Sequence, residues 1–236
     1  MLGMRLPTRP RIREEGEKPF WISFSDLMSA LMVLFLVATT VALLAVTHDI
    51  SQAEREKIER EQEIEAFMAR VRAAISEFPG ISVRQRAIDF GERARFASDS
   101  HQLAREQTRL LRAVVPRILA VAREPLGQRR FKRVIVEGFA DPRGSYLHNL
   151  NLSLQRSERV LCALLVPGRG EAALSEADRL FIRERFLVGG FSFNAQKASL
   201  EESRRIELKL DFLEVGEQRP LAGTPALETD ERCPLD

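Results

Sequence analysis

Residues 26–46 read DLMSALMVLFLVATTVALLAV, and this run decides the architecture. After Asp26 it contains no charged residue, and only Ser29, Thr39 and Thr40 break its apolar character. The twenty residues 27–46, as helix at about 1.5 Å each, cover roughly 30 Å, the hydrocarbon thickness of a bilayer. The segment is long enough to cross a membrane once. It exceeds the apolar core of a cleaved signal peptide and carries Asp26 at its start, so it is read as an uncleaved anchor. A charge at that depth costs about 2.5–3.5 kcal/mol on insertion scales, and such carboxylates persist where they face protein or a water-lined interior.

The helical wheel gives Asp26 a defined side. At about 100° per residue, Ser29, Ala30, Val33, Val37, Thr40 and Val41 share its face, whereas Met28, Leu31, Met32 and Phe35 point away. Small and β-branched side chains permit close helix approach, so the Asp26 side is expected to meet a partner. The alternative is that Asp26 caps the helix from the headgroup region beside Trp21 and Phe24.

Arg5, Arg9, Arg11, Arg13 and Lys18 load the short N-terminal segment with positive charge, which holds it in the cytoplasm and exports the rest. The expected topology is a single crossing, with the N-terminus cytoplasmic and the C-terminal domain on the exported side. A net charge of +2, with bases and acids interleaved, argues against direct nucleic-acid binding. No metal-ligand spacing is present, and His48, His101 and His148 are read as isolated solvated or turn residues. Cys162 and Cys233 fall on the exported side, where a disulfide is permitted; pairing within or between chains is left open.

Residues 48–78 read as helix: 54–65 is almost wholly charged, and then Ile64, Phe67, Met68, Val71, Ile75 and Phe78 share one face. Pro79 and Gly80 stop it. Beyond them the pattern gives a strand in 81–90, a helix over 103–121 and a strand over 131–138. A turn at Asp141, Pro142, Arg143 and Gly144 follows, then a helix over 149–165 and strands over 185–191 and 204–212. This βαβαββ order is enough for one α+β domain. The expected divisions are a cytoplasmic tail 1–19, a transmembrane helix 20–46, a helical linker 47–78, the α+β domain 79–213 and a poorly ordered tail 214–236.

The run Gly138, Phe139, Ala140, Asp141, Pro142, Arg143, Gly144, Ser145, then Asn149, Leu152, Ser153 and Arg156, resembles the peptidoglycan-binding motif of OmpA-like domains, G-x-x-D-x-x-G-x(4)-N-x-x-L-S-x-x-R. Ser203, Arg204, Arg205, Ile206 and Glu207 resemble the final-strand signature of the same family. The resemblance covers about 81–212 and departs at Ala140, usually Thr, and Ser157, usually Ala. It implies that Asp141 and Arg156 hold the diaminopimelate of a wall stem peptide, with Asn149 and Ser153 as weaker contributors. The chemistry fits, because a guanidinium fork pairs with a carboxylate while a fixed carboxylate accepts from an ammonium.

Residues 20–32, FWISFSDLMSALM, are similar to the transmembrane helix of MotB-type stator B subunits, and the wording looks closest to the branch found in Zorya anti-phage defence systems. That resemblance implies a homodimer inside a pentameric ring of multi-span stator A subunits in the bacterial inner membrane, with the C-terminal domain in the periplasm and Asp26 binding and releasing a transported proton or sodium ion. No resident cofactor and no enzymatic activity are implied. The competing readings are a flagellar-type stator subunit, a passive tether between membrane and wall, and an exported enzyme on a membrane leash. No nucleophile, base and oxyanion set supports the last.

Overall fold

The computed structural model describes residues 18–166, 173–219 and 232–235. The basic N-terminal tail and most of the C-terminal tail therefore lie outside the described residues. Helix α1 (Lys18–Ala74) contributes to two compact units, Met1–Arg55 and Glu56–Asp236. In the first unit every side chain of 24–50 is exposed, and this is the one helix, among the described residues, long and apolar enough to cross a membrane. Its hydroxyls are satisfied on their own helix: Ser29 Oγ donates to Ser25 O at 2.8 Å, Thr39 Oγ1 to Phe35 O at 2.9 Å and Thr40 Oγ1 to Leu36 O at 2.7 Å. Such back-bonding removes the cost of an unpaired hydroxyl in lipid.

The second unit is built on a five-stranded sheet ordered β1-β2-β5-β3-β4: β1 (Ser82–Arg84), β2 (Ala87–Asp89), β3 (Phe131–Gly138), β4 (Phe186–Gly190) and β5 (Ile206–Phe212). β4 runs parallel to β3 and the other pairings are antiparallel. One face is apolar, with Ile88, Val134, Val136, Phe186, Leu208, Leu210 and Phe212 all buried. The other carries charge pairs such as Arg133–Asp211 at 2.9 Å and Lys209–Glu137 at 3.4 Å. Alternation at period two separates the faces.

The apolar face joins α2 (Arg105–Arg123), α4 (Tyr146–Leu165) and the C-terminal part of α1 in one core. Ile64, Phe67, Met68, Val71 and Ile75 are all nearly or fully closed to solvent. Phe67 stacks on Phe131 with centroids 5.9 Å apart and meets Phe212 edge-on at 5.4 Å. The charged block is committed as well, with Glu61 on Arg86, Glu63 on Arg129 and Arg130, and Arg60 donating to Leu213 O. These contacts correct the expected boundary at Pro79, since the compact unit already begins at Glu56. The apolar stripe of 64–78 packs into the chain's own core, with Phe78 partly buried at its edge.

The expected strand in 81–90 is a hairpin, β1–β2. Three short helices were not anticipated: α3 (Pro125–Arg130), α5 (Glu176–Arg185) and α6 (Leu200–Ser203). The tail expectation is also corrected where residues are described. Arg219 donates to the carbonyls of Gln128 and Phe131, and Cys233 is bonded to Cys162 within the chain, with Cα atoms 5.3 Å apart.

Candidate functional site

In the first unit Asp26 lies in a shallow trough of α1 that it shares with Ser29, Ala30, Val33, Leu34, Val37 and Ala38. Most of the stripe read from the wheel is therefore gathered on one flank. Asp26 makes no hydrogen bond or ion pair among the described residues.

In the second unit the turn over residues 141–144 begins where β3 ends. Two glycines let α4 settle against the sheet: a Cβ on Gly138 would fall 1.9 Å from Ser153 O, and one on Gly190 2.8 Å from Leu154 N. After Asp141 the chain turns through Gly144 in the left-handed region (φ +91), and Ser145 caps α4 by accepting from His148 N at 3.3 Å. The turn and the first turn of α4 thus stand beside the 96–101 loop, enclosing a cleft of about 250 Å³. Its lining includes Ser98, Asp99, Asp141, Arg143, His148, Asn149 and Arg156.

Asp141 is nearly closed to solvent and fully engaged. Its Oδ1 accepts from Arg143 N and Nε, both at 3.1 Å, and its Oδ2 from Arg143 Nη2 at 2.7 Å and Arg204 Nη1 at 3.1 Å. The Arg143 guanidinium holds the Asp141 carboxyl well below the usual carboxylate range against the opposing effect of burial, with help from Arg204. Arg143 Nη2 also donates to Ser98 Oγ at 2.9 Å, and His148 Nε2 meets Asp99 Oδ1 at 2.6 Å.

Arg156 lines the same cleft as Asp141. It forms the floor of the cleft but is closed to solvent, and its donors go to three backbone carbonyls: Ser100 at 2.9 Å, Phe139 at 2.7 Å and Ala97 at 3.2 Å. Its guanidinium also lies over the Phe96 ring, 5.0 Å from the centroid. Burial lowers its pKa to about 10, which leaves it charged at neutral pH. Asp141 and Arg156 line one cleft without a hydrogen bond between them. The cations on Asp141 are Arg143 and Arg204.

Asn149 is buried and donates to Arg143 O at 2.7 Å, so it holds the turn. Ser153 sits behind the cleft, fully buried, donating to Leu150 O and accepting from Ser192 N at 3.0 Å. Its hydroxyl fixes α4 to the chain after β4. Sequence reading missed Arg143 and His148 as cleft residues, and Arg204 as a partner of Asp141. The Asp-x-Arg spacing at the turn was the available signal for Arg143; His148 carried none, because its partner Asp99 is distant in sequence.

A second cleft of about 370 Å³, lined by Ser82, Arg84 and Asp89 of the β1–β2 hairpin with Lys197, Glu202 and Arg205, carries several charge pairs. Lys197 lies 3.6 Å from both Asp89 and Glu207, and Arg205 binds Glu207 at 2.6 Å.

The fold and these sites define a class: a chain in which an N-terminal helix, long and apolar enough over its first part to cross a membrane and bearing Asp26 there, is followed by an α+β domain with an acid–arginine cleft. The Zorya protein ZorB of Escherichia coli O139:H28 (strain E24377A / ETEC) is 39% identical over 242 residues, an alignment covering 100% of this chain and 98% of that protein. The chain belongs to the ZorB family. No family model matches it. Among solved structures, a putative MotB like protein from Desulfovibrio vulgaris aligns at TM-score 0.42 and 18% identity, over 64% of this chain and 94% of that one. The cell wall anchor of the T6SS from Pseudomonas aeruginosa aligns at TM-score 0.41 and 24% identity, over 62% and 97%.

Proposed function

We propose that this chain is the wall-anchored B subunit of an ion-driven rotary motor in Zorya anti-phage defence, with Asp26 as the carboxylate that carries the ion. The observation that carries the reading is Asp26 itself, alone in an otherwise uncharged span and set in a trough of small and aliphatic residues. A passive tether has no use for a carboxylate there, whereas a carrier needs a group that alternates between ionised and neutralised forms. One charge crossing the full potential releases about 2.3 kcal/mol per 100 mV, enough to bias a step of a ring around a fixed axle. In this reading two copies of the chain form the axle within a pentameric ring of multi-span A subunits, in the inner membrane. The stripe of 64–78 gives this dimer no support, being covered within the chain; the dimer rests on the likeness to stator B subunits.

The second unit then holds the axle to peptidoglycan. Its cleft presents a carboxylate and a half-exposed guanidinium side by side, the complement of the ammonium and carboxylate on one carbon of diaminopimelate. The transported ion is a proton or sodium ion, and no resident cofactor enters the mechanism.

Asp26→Asn tests the motor. It keeps size and polarity but removes the titratable group, so phage protection should vanish while the protein still inserts and assembles with its A subunits. Full protection by this variant would reduce the chain to a tether.

A further inference from the structure

The wall-binding reading asks Asp141 to accept an ammonium, yet in this structure its acceptor sites are occupied. Both of its oxygens are covered by Arg143, with Arg204 adding one bond to Oδ2. The two arginines are not alike. The Arg204 side chain is 12% exposed and is also held by Phe96 O at 3.0 Å and Glu201 at 3.2 Å. The Arg143 side chain is 54% exposed, and beyond Asp141 it touches only Ser98 Oγ. Arg156 is closed to solvent and bound to three carbonyls. Among the cleft's cations, Arg143 alone is free to swing outward.

Resting on the wall-binding reading, we propose that Arg143 is a latch that sets the cleft's specificity: it covers Asp141 when the cleft is empty, and exchanges that carboxylate for the ligand's own when an ammonium arrives. The exchange is balanced only for a zwitterionic head. An ammonium that displaces Arg143 gains Asp141 but strands a guanidinium, unless the same ligand brings a carboxylate to re-pair it. Arg204 stays on Asp141 throughout and keeps it oriented. The cleft therefore favours a zwitterionic head over a simple amine, because the amine gives up the Asp141–Arg143 pair without replacing it. Asn149, bonded to Arg143 O, anchors the latch's backbone while the side chain moves.

The test uses the detergent-solubilised full-length protein and two probes, meso-diaminopimelate and 1,5-diaminopentane, which differ only in the two carboxylates. Direct titration should show a preference of roughly tenfold or more for diaminopimelate in the unmodified protein. In Arg143→Ala the ratio should fall toward one, by weakened diaminopimelate binding and unchanged or tightened diamine binding. Arg143→Lys should restore part of the preference. An unchanged ratio in Arg143→Ala overturns the latch, as does equal loss of both probes with no recovery in Arg143→Lys. Sedimentation with purified sacculi separates the two levels. If the unmodified protein fails to sediment, or Asp141→Ala sediments undiminished, the wall-binding reading falls and the latch with it. If sedimentation depends on Asp141 and the probe ratio does not depend on Arg143, the latch alone fails.

Discussion

Arg156 faces the carbonyls of Ala97, Phe139 and Ser100, and so ties the 96–101 loop to the end of β3 from inside. Its role follows from what its removal leaves behind. Arg156→Leu keeps much of the volume but orphans three buried acceptors, each worth about 1–3 kcal/mol unless water reaches it. A loss of about 3–5 kcal/mol is expected, read as a lowered thermal midpoint of the full-length protein in detergent; a single ammonium in Arg156→Lys cannot span three carbonyls and should recover only part. A midpoint unchanged in Arg156→Leu would show that the loop is held by other contacts. The site was half legible in sequence for the same reason. Asp141 sits in a turn whose Pro, Arg and Gly announce it, but the partition of arginines between ligand and backbone depends on burial, which residue spacing does not report.

At the scale of elements, the decisive piece is the end of α1, because Phe67 is wedged between Phe131 at the start of β3 and Phe212 at the end of β5. Phe67→Ala should cost about 3–5 kcal/mol through lost burial and the cavity left at a junction of three elements. The variant should lower the thermal midpoint markedly; an exposed neighbour such as Ile58→Ala should leave it nearly unchanged. Equal effects of the two would mean that α1 is dispensable to the core. The sequence displayed this apolar stripe clearly but not its partner, since periodicity identifies a buried face and never what buries it. β3 was legible to the residue because its Val- and Ile-rich run is bounded by a glycine. The β1–β2 hairpin was not, because its turn uses Gln85 at φ 53 followed by Arg86 where a glycine or asparagine would have signalled it. α5 buries only Ile182, too little apolar pattern to separate a short helix from a charged loop.

At the scale of the molecule, the Cys162–Cys233 bond closes the chain on itself across 71 residues, joining the last turn of α4 to the C-terminal tail. Arg159 Nη2 adds a bond to Leu235 O at 2.8 Å, and Arg219 binds the carbonyls around the start of β3, so the described tail residues lie on the domain. The loop closed by the disulfide encloses α5, β4, α6 and β5, together with Arg204, which lies between α6 and β5 and bonds to Asp141. Constraining so long a loop in the unfolded chain stabilises the native state by about 4 kcal/mol in the chain-entropy model. Cys162→Ser and Cys233→Ser should each lower the thermal midpoint by a similar amount, and reductant should do the same to the unmodified protein but not to either variant. On non-reducing gels the unmodified chain should run as a compact monomer that slows on reduction. A covalent dimer band would place the bond between chains. Because the bond lies at the opposite end of α4 from the cleft, sacculus binding should persist in both variants at low temperature and fail earlier on heating; loss of binding well below the midpoint would instead make the tail part of the cleft's own architecture.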